Sequence, residues 1–209
     1  MHILKTLKLC LISLILMNDI VFAQDNLPSL IPAPDRGLDE GLGPFPRLVI
    51  RGATLINGTG APPIGPVDIV IENNRISDIA YVGYPGLEID EAGRPSSGDY
   101  EIDAHGKYVM PGIVDMHTHT GGPTSSPEAE YTYKLWMGHG ITTVRGVPSG
   151  NDGDLEFALS EKKRSQENEI VAPRIFSYHV LGSGKDFHRQ KILTPEAARK
   201  WVRYIAKKG

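Results

Sequence analysis

Apolar and polar positions divide the chain into stretches of different texture. Leu48-Val49-Ile50 and Ala53-Thr54-Leu55-Ile56 are short apolar pieces that stop at Asn57-Gly58-Thr59-Gly60. Val67-Asp68-Ile69-Val70-Ile71 reads as a strand at period two. It ends at Asn73-Asn74, a pair suited to the positive dihedrals of a hairpin turn, and Arg75-Ile76-Ser77-Asp78-Ile79 restarts the pattern. Tyr100-Glu101-Ile102-Asp103 is one more short strand, and residues 85–99 between them form a Gly, Pro, Ser and acid-rich loop. Short strands at this spacing predict a partial β-sandwich over residues 46–107.

Beyond Lys107 the pattern becomes strands alternating with helices. Residues 108–116 are mostly apolar without alternation, as in a parallel strand buried on both faces. Ser126-Pro127 can start a helix that runs to about Met137 and ends at Gly138 or Gly140. Tyr131, Tyr133, Leu135 and Trp136 would cover its inner face. Ile141-Thr142-Thr143-Val144 is a second buried strand, 154–167 a second helix and 174–180 a third strand. Thr194-Pro195-Glu196 opens a third helix with Ala198, Trp201, Val202 and Ile205 on one face. This β-α-β-α-β-α series is the opening of a parallel α/β fold. No internal repeat is visible.

The first 23 residues read as a cleavable export signal. Lys5 and Lys8 precede a nine-residue apolar run that includes Cys10, and Val21-Phe22-Ala23 offers small residues where a signal peptidase reads. The run is shorter than the roughly 20 residues a bilayer span needs, so no stable membrane span is expected after cleavage. The expected location is periplasmic or secreted. Residues 24–45 combine prolines and acids without periodicity and are expected to be a linker or loosely packed arm.

Composition narrows the function classes. The formal charge of -3 includes no basic stripe to collect phosphates, so nucleic acid is not an expected partner. With one cysteine, inside the signal, disulfide frameworks and thiolate zinc sites are excluded. Gly182-Ser183-Gly184-Lys185 is no phosphate loop: Asp186 stands where Ser or Thr is required, and His179 where the first glycine belongs.

The chemistry concentrates at His117-Thr118-His119, directly after Pro111-Gly112-Ile113-Val114-Asp115-Met116. Residues two apart on a strand point the same way, which sets two imidazoles together at the strand's end. Two neutral imidazoles are good zinc ligands, but they fill half of a tetrahedral shell. Arg145, at the end of the second strand, could hold a substrate carboxylate through a forked pair of hydrogen bonds. His179, near the end of the third strand, and His188, in the loop after it, are candidates for substrate contact. Asp115 could share the face of His117 or act structurally; His105 and His139 lie in turns and are read as structural.

These pieces resemble the N-terminal half of a metal-dependent hydrolase of the amidohydrolase superfamily, in particular its imidazolonepropionase-like and prolidase-like branch. The resemblance is carried by Ile56-Asn57-Gly58-Thr59-Gly60, the Asn74-Arg75-Ile76 hairpin, Ile102-Asp103-Ala104-His105-Gly106-Lys107 and Val109-Met110-Pro111-Gly112 through His119. Gly140-Ile141-Thr142-Thr143-Val144-Arg145 and Ala172-Pro173-Arg174-Ile175 extend it. It implies a β-sandwich beside a (β/α)8 TIM barrel, with one or two divalent metals, usually zinc, that activate water for attack on an amide, lactam or similar carbon centre. His117 and His119 match the first two metal ligands. The family often carries an acid after the arginine matched by Arg145, where this chain has Gly146. By the same resemblance, further ligands and the general acid or base belong to later strands, leaving the catalytic residues unassigned.

The expected architecture is therefore α/β with a partial β-sandwich at 46–107 and the first three βα units of a barrel at 108–209. A whole barrel takes about 250 residues, so this reading is of an incomplete N-terminal piece, inactive by itself. The function read from it is metal-dependent hydrolysis of carbon-nitrogen bonds other than ordinary peptide bonds, on a small amide, lactam or dipeptide-like substrate. Two alternatives stay open: a prolidase-like Xaa-Pro dipeptidase, and a non-catalytic binding module carrying a barrel remnant. An oligomer is compatible with either enzyme.

Overall fold

The structure, a computed structural model, describes residues 30–120, 127–147, 152–179, 181–182, 187 and 191–208. The expected export signal, the serine of the Ser126-Pro127 helix start and His188 lie outside them. The chain is mixed α/β and falls into two compact units. One comprises residues 36–114 with 140–142, and the other the described residues of 1–35, 115–139 and 143–209.

The first unit is built on β1 (Arg47–Leu55), β2 (Ile64–Glu72), β3 (Arg75–Tyr81), β4 (Tyr100–Asp103) and β5 (Tyr108–Val109). They form one five-stranded sheet in the order β3-β2-β1-β4, with β5 also on β1. Among the described residues these strands make a single sheet, one layer of the partial β-sandwich expected at 46–107. The Asn73-Asn74 hairpin forms as read: β2 and β3 are antiparallel, with Glu72 opposite Arg75 and Asn73 at φ 55°.

The two apolar pieces expected at 48–50 and 53–56 are one strand interrupted by a bulge. The register of β1 against β2 slips between Ile50 and Ala53, around Gly52 at φ 69°. A side chain is disfavoured there by the positive φ, and its Cβ would stand 2.6 Å from the His105 ring, which would have to shift. The bulge also gives Gly52 N–H to Asp68 Oδ1 at 2.8 Å.

Asp68, the one charged residue in the 67–71 stretch, is completely buried. Arg51 Nη1 donates to its Oδ2 at 2.8 Å, and Arg94 reaches both oxygens at 3.0 and 3.2 Å. Burial pushes the carboxyl's pKa up, but the hydrogen bonds from Arg94, Arg51 and Gly52 outweigh it and hold it below the ordinary range. Beside this cluster Ala53, Leu55, Val67, Ile69 and Ala104 make the apolar core.

Residues 108–116 divide instead of forming one strand. β5 joins the first sheet, Pro111-Gly112 breaks the run, and β6 (Ile113–His119) begins a second sheet. Gly112 is required at the break, since a Cβ there would lie 1.9 Å from Thr142 Oγ1. β6 neighbours β7 (Ile141–Val147), which pairs in parallel with β8 (Arg174–Ser177). Three helices accompany these strands: α1 (Ala129–Gly138), α2 (Asp152–Gln166) and α3 (Pro195–Lys208).

The strand buried on both faces is not what β6 is. Ile113, Val114 and Met116 are each at least half exposed. An edge strand with one neighbour has no partner across its other side, and no helix among the described residues covers these three. On α1, Tyr131 and Leu135 are exposed while Tyr133, two residues from each and on the opposite side of the helix, is buried, so the expected continuous inner face is narrower. On α3, Trp201 is buried but Val202 is exposed.

The arm differs most from its expectation. Ile31 bridges Glu128: its N–H donates to the Pro127 carbonyl at 2.8 Å, and its carbonyl accepts from Ala129 N at 3.0 Å. That carbonyl supplies the acceptor at the start of α1, whose N-cap residue Glu128 makes no side-chain cap. Ala33 is buried, with its N–H on Glu161 Oε2 at 3.2 Å, and Asp35 pairs with Arg164 at 2.8 Å. Residues 30–35 are thus docked on α1 and α2.

Candidate functional site

Alternation along the three-stranded sheet separates two faces. Val144 and Ile175 are buried toward the helices, as are Thr118 and Gly146. The other face carries Asp115, His117 and His119 on β6, Thr143 and Arg145 on β7, and Arg174 and Phe176 on β8. The pairing of Arg145 with Phe176 aligns these rows, and Tyr178 continues the 174–176 row just past the strand.

His117 and His119 meet as the motif predicts. Their Nε2 atoms are 3.3 Å apart and their ring centroids 5.2 Å apart, and both side chains are exposed. Two nitrogens each about 2.0–2.1 Å from a tetrahedral zinc lie about 3.3–3.4 Å apart. The separation of the pair therefore matches one edge of such a shell. Among the described residues no group of three or more His, Cys, Asp or Glu side chains joins into a full metal site.

Asp115 does not point its carboxylate at that edge. Its Oδ1 accepts from the backbone N–H of His117 at 3.0 Å, which ties down the strand where the first imidazole departs. Arg145 lies on the same face, its Nη1 donating to the Met116 carbonyl at 3.4 Å. His179, the other candidate for substrate contact, is not brought to the pair. Its Nδ1 is buried without a hydrogen-bond partner, and burial, followed by the charge of Lys162 on α2, lowers its pKa. The residue that does approach is Tyr178, whose Oη is 3.4 Å from His117 Nδ1. The sequence reading missed it. Extending the alternation from Arg174 through Phe176 would have pointed to it.

His105 and His139 are structural as read. His105 Nδ1 bonds Asp103 Oδ1 at 2.5 Å, and His139 Nδ1 bonds the Leu135 carbonyl at 2.8 Å at the end of α1. On the helix side, Gly146 faces Thr118 Oγ1, 3.6 Å from where its Cβ would be. Thr118 Oγ1 and Ser177 Oγ are buried there without partners.

No family model matches the chain. Over 130 residues it is 39% identical to the dihydroorotase of Thermoanaerobacter sp. strain X514, a stretch that covers 60% of this chain and 27% of that protein. Over 108 residues it is 32% identical to the imidazolonepropionase of Streptomyces avermitilis, covering 48% and 24% respectively. A solved Xaa-Pro dipeptidase superposes with a TM-score of 0.53 at 25% identity, over 78% of this chain and 45% of that one. The chain spans about a quarter of the length of these curated relatives. In sequence and in fold, the chain is similar to members of the amidohydrolase superfamily.

Proposed function

We propose that this chain contributes the first two ligands of a divalent-metal centre to a hydrolase that cleaves carbon-nitrogen bonds other than ordinary peptide bonds. The observation that carries the reading is the 3.3 Å separation of His117 Nε2 and His119 Nε2 on one rigid strand. A zinc ion held there would supply Lewis-acid activation of water and polarisation of the carbonyl under attack. His117 and His119 would hold the ion, and Asp115 fixes the backbone from which His117 projects. Arg145 keeps donors on the same face for a substrate carboxylate or carbonyl. His179, half-buried beside the Lys162 charge, is the weaker of the two substrate-contact candidates.

Two imidazoles leave half of a tetrahedral shell to be filled by other residues, and hydrolysis therefore requires more than the described site. The three βα units fit the opening of a barrel, and export follows from the signal-like first 23 residues. Substrates of this class are small amides, lactams or dipeptides. A protein carrying this chain together with the rest of a barrel should hydrolyse a lactam or cyclic amide, lose activity on complete chelation and regain it with zinc. An undiminished rate in the metal-free protein would overturn the proposal. Faster cleavage of Xaa-Pro dipeptides than of cyclic amides would favour the peptidase alternative.

A further inference from the structure

Tyr178 is the unassigned residue that touches the paired histidines. Its backbone N–H donates to the Gly146 carbonyl at 3.1 Å, which anchors the residue just beyond β8. Its ring meets the His117 imidazole edge-on, at 66° with centroids 6.1 Å apart, and its hydroxyl oxygen lies 3.4 Å from Nδ1. The Arg145 guanidinium stacks on the ring, with Cζ 3.8 Å from the centroid. That same guanidinium is tied to the Met116 carbonyl, one residue before His117. The cation covers the face of the phenol and leaves the hydroxyl at its edge free for a hydrogen bond.

Which nitrogen of His117 carries the proton decides whether it can ligate. Nε2 faces His119 Nε2, so a metal-binding imidazole must keep Nε2 unprotonated and hold its proton on Nδ1. An acceptor at Nδ1 stabilises that tautomer and fixes the ring's orientation. A phenolic oxygen can accept there while its own proton points elsewhere.

We propose that Tyr178, held by Arg145, is a positioning residue that accepts the Nδ1 proton of His117 and so presets the ligating tautomer. The inference rests on the metal-centre reading above and adds how that centre is prepared. It assigns Arg145 a first task on the protein itself, gripping the ring of Tyr178.

Tyr178→Phe keeps the ring and its stacking on Arg145 and removes the oxygen. In the metal-free chain, long-range proton–nitrogen NMR above the imidazole titration range should find wild-type His117 protonated at Nδ1. The Phe variant should shift toward the Nε2–H form. In chelator competition the same variant should bind zinc about 10- to 100-fold more weakly. Arg145→Met should weaken binding less, with Arg145→Lys recovering part of the loss. A wild-type His117 protonated at Nε2, or a Phe variant with unchanged tautomer and zinc affinity, would overturn the proposal. The metal-free spectrum judges the tyrosine alone. If a His117→Ala, His119→Ala double variant binds zinc as tightly as wild type, the metal-centre reading fails, and the inference built on it fails too.

Discussion

The two units place their ionisable groups in opposite circumstances. In the five-stranded sheet, Asp68 is fully buried and its carboxylate is saturated by Arg51, Arg94 and the Gly52 N–H. In the three-stranded sheet, His117 and His119 stand exposed with their Nε2 atoms 3.3 Å apart. A saturated buried charge has no valence left for a ligand and acts on stability. A pair of exposed donors costs the fold little to lose and keeps its capacity for chemistry.

Breaking the saturated cluster should give the largest stability change. Asp68→Ala strands two arginines that each retain one other carboxylate partner, Glu101 or Glu91. The expected cost is about 3 kcal/mol, read as a lower denaturant midpoint, with zinc affinity unchanged. Acid tests the same group from another side. Because Asp68 titrates below its ordinary value when folded, its contribution is complete above the usual carboxylate range and is lost as pH falls through the lowered value. Thermal midpoints followed downward from pH 6 should fall less steeply in Asp68→Asn than in wild type.

Glu161→Ala is expected to rank next, at about 2 kcal/mol, because it leaves the buried Ala33 N–H without an acceptor and removes one partner of Arg164. Faster amide exchange at Ala33, together with a lower unfolding midpoint, would report it. Thr194→Ala should be smallest, about 1 kcal/mol, through loss of the Oγ1 acceptor that caps Ala197 N at the start of α3. Its effect should appear as fraying of that helix by exchange. If either variant shifted zinc affinity tenfold, the division between the two kinds of polar residue would collapse.

Much of the fold was legible where local chemistry dominates. Asn73-Asn74 demanded a hairpin, Thr194-Pro195 opened α3, and the spacing of His117 and His119 put both imidazoles on one face. What escaped depended on partners distant in sequence. Residues 30–35 carry no periodicity, and their docking is made by backbone bridging to Glu128 and by Glu161 and Arg164. Alternation in 67–71 does not foretell the burial of Asp68, because Arg94, across a loop, supplies part of what makes that burial tolerable. The apolar run of β6 suggested double burial, but composition does not reveal how many neighbours a strand has. Tyr178 was passed over for His179 because a histidine invites a ligand reading, whereas strand parity selects the tyrosine.

The central claim is that His117 and His119 form one edge of a metal shell. It is tested most directly by zinc titration of the chain, watching the side-chain nitrogens of all seven histidines. The account predicts that Nε2 of His117 and of His119 respond together at the lowest zinc concentrations, ahead of His105, His139 and His179. Silence at both, or a first response at another histidine, would contradict it.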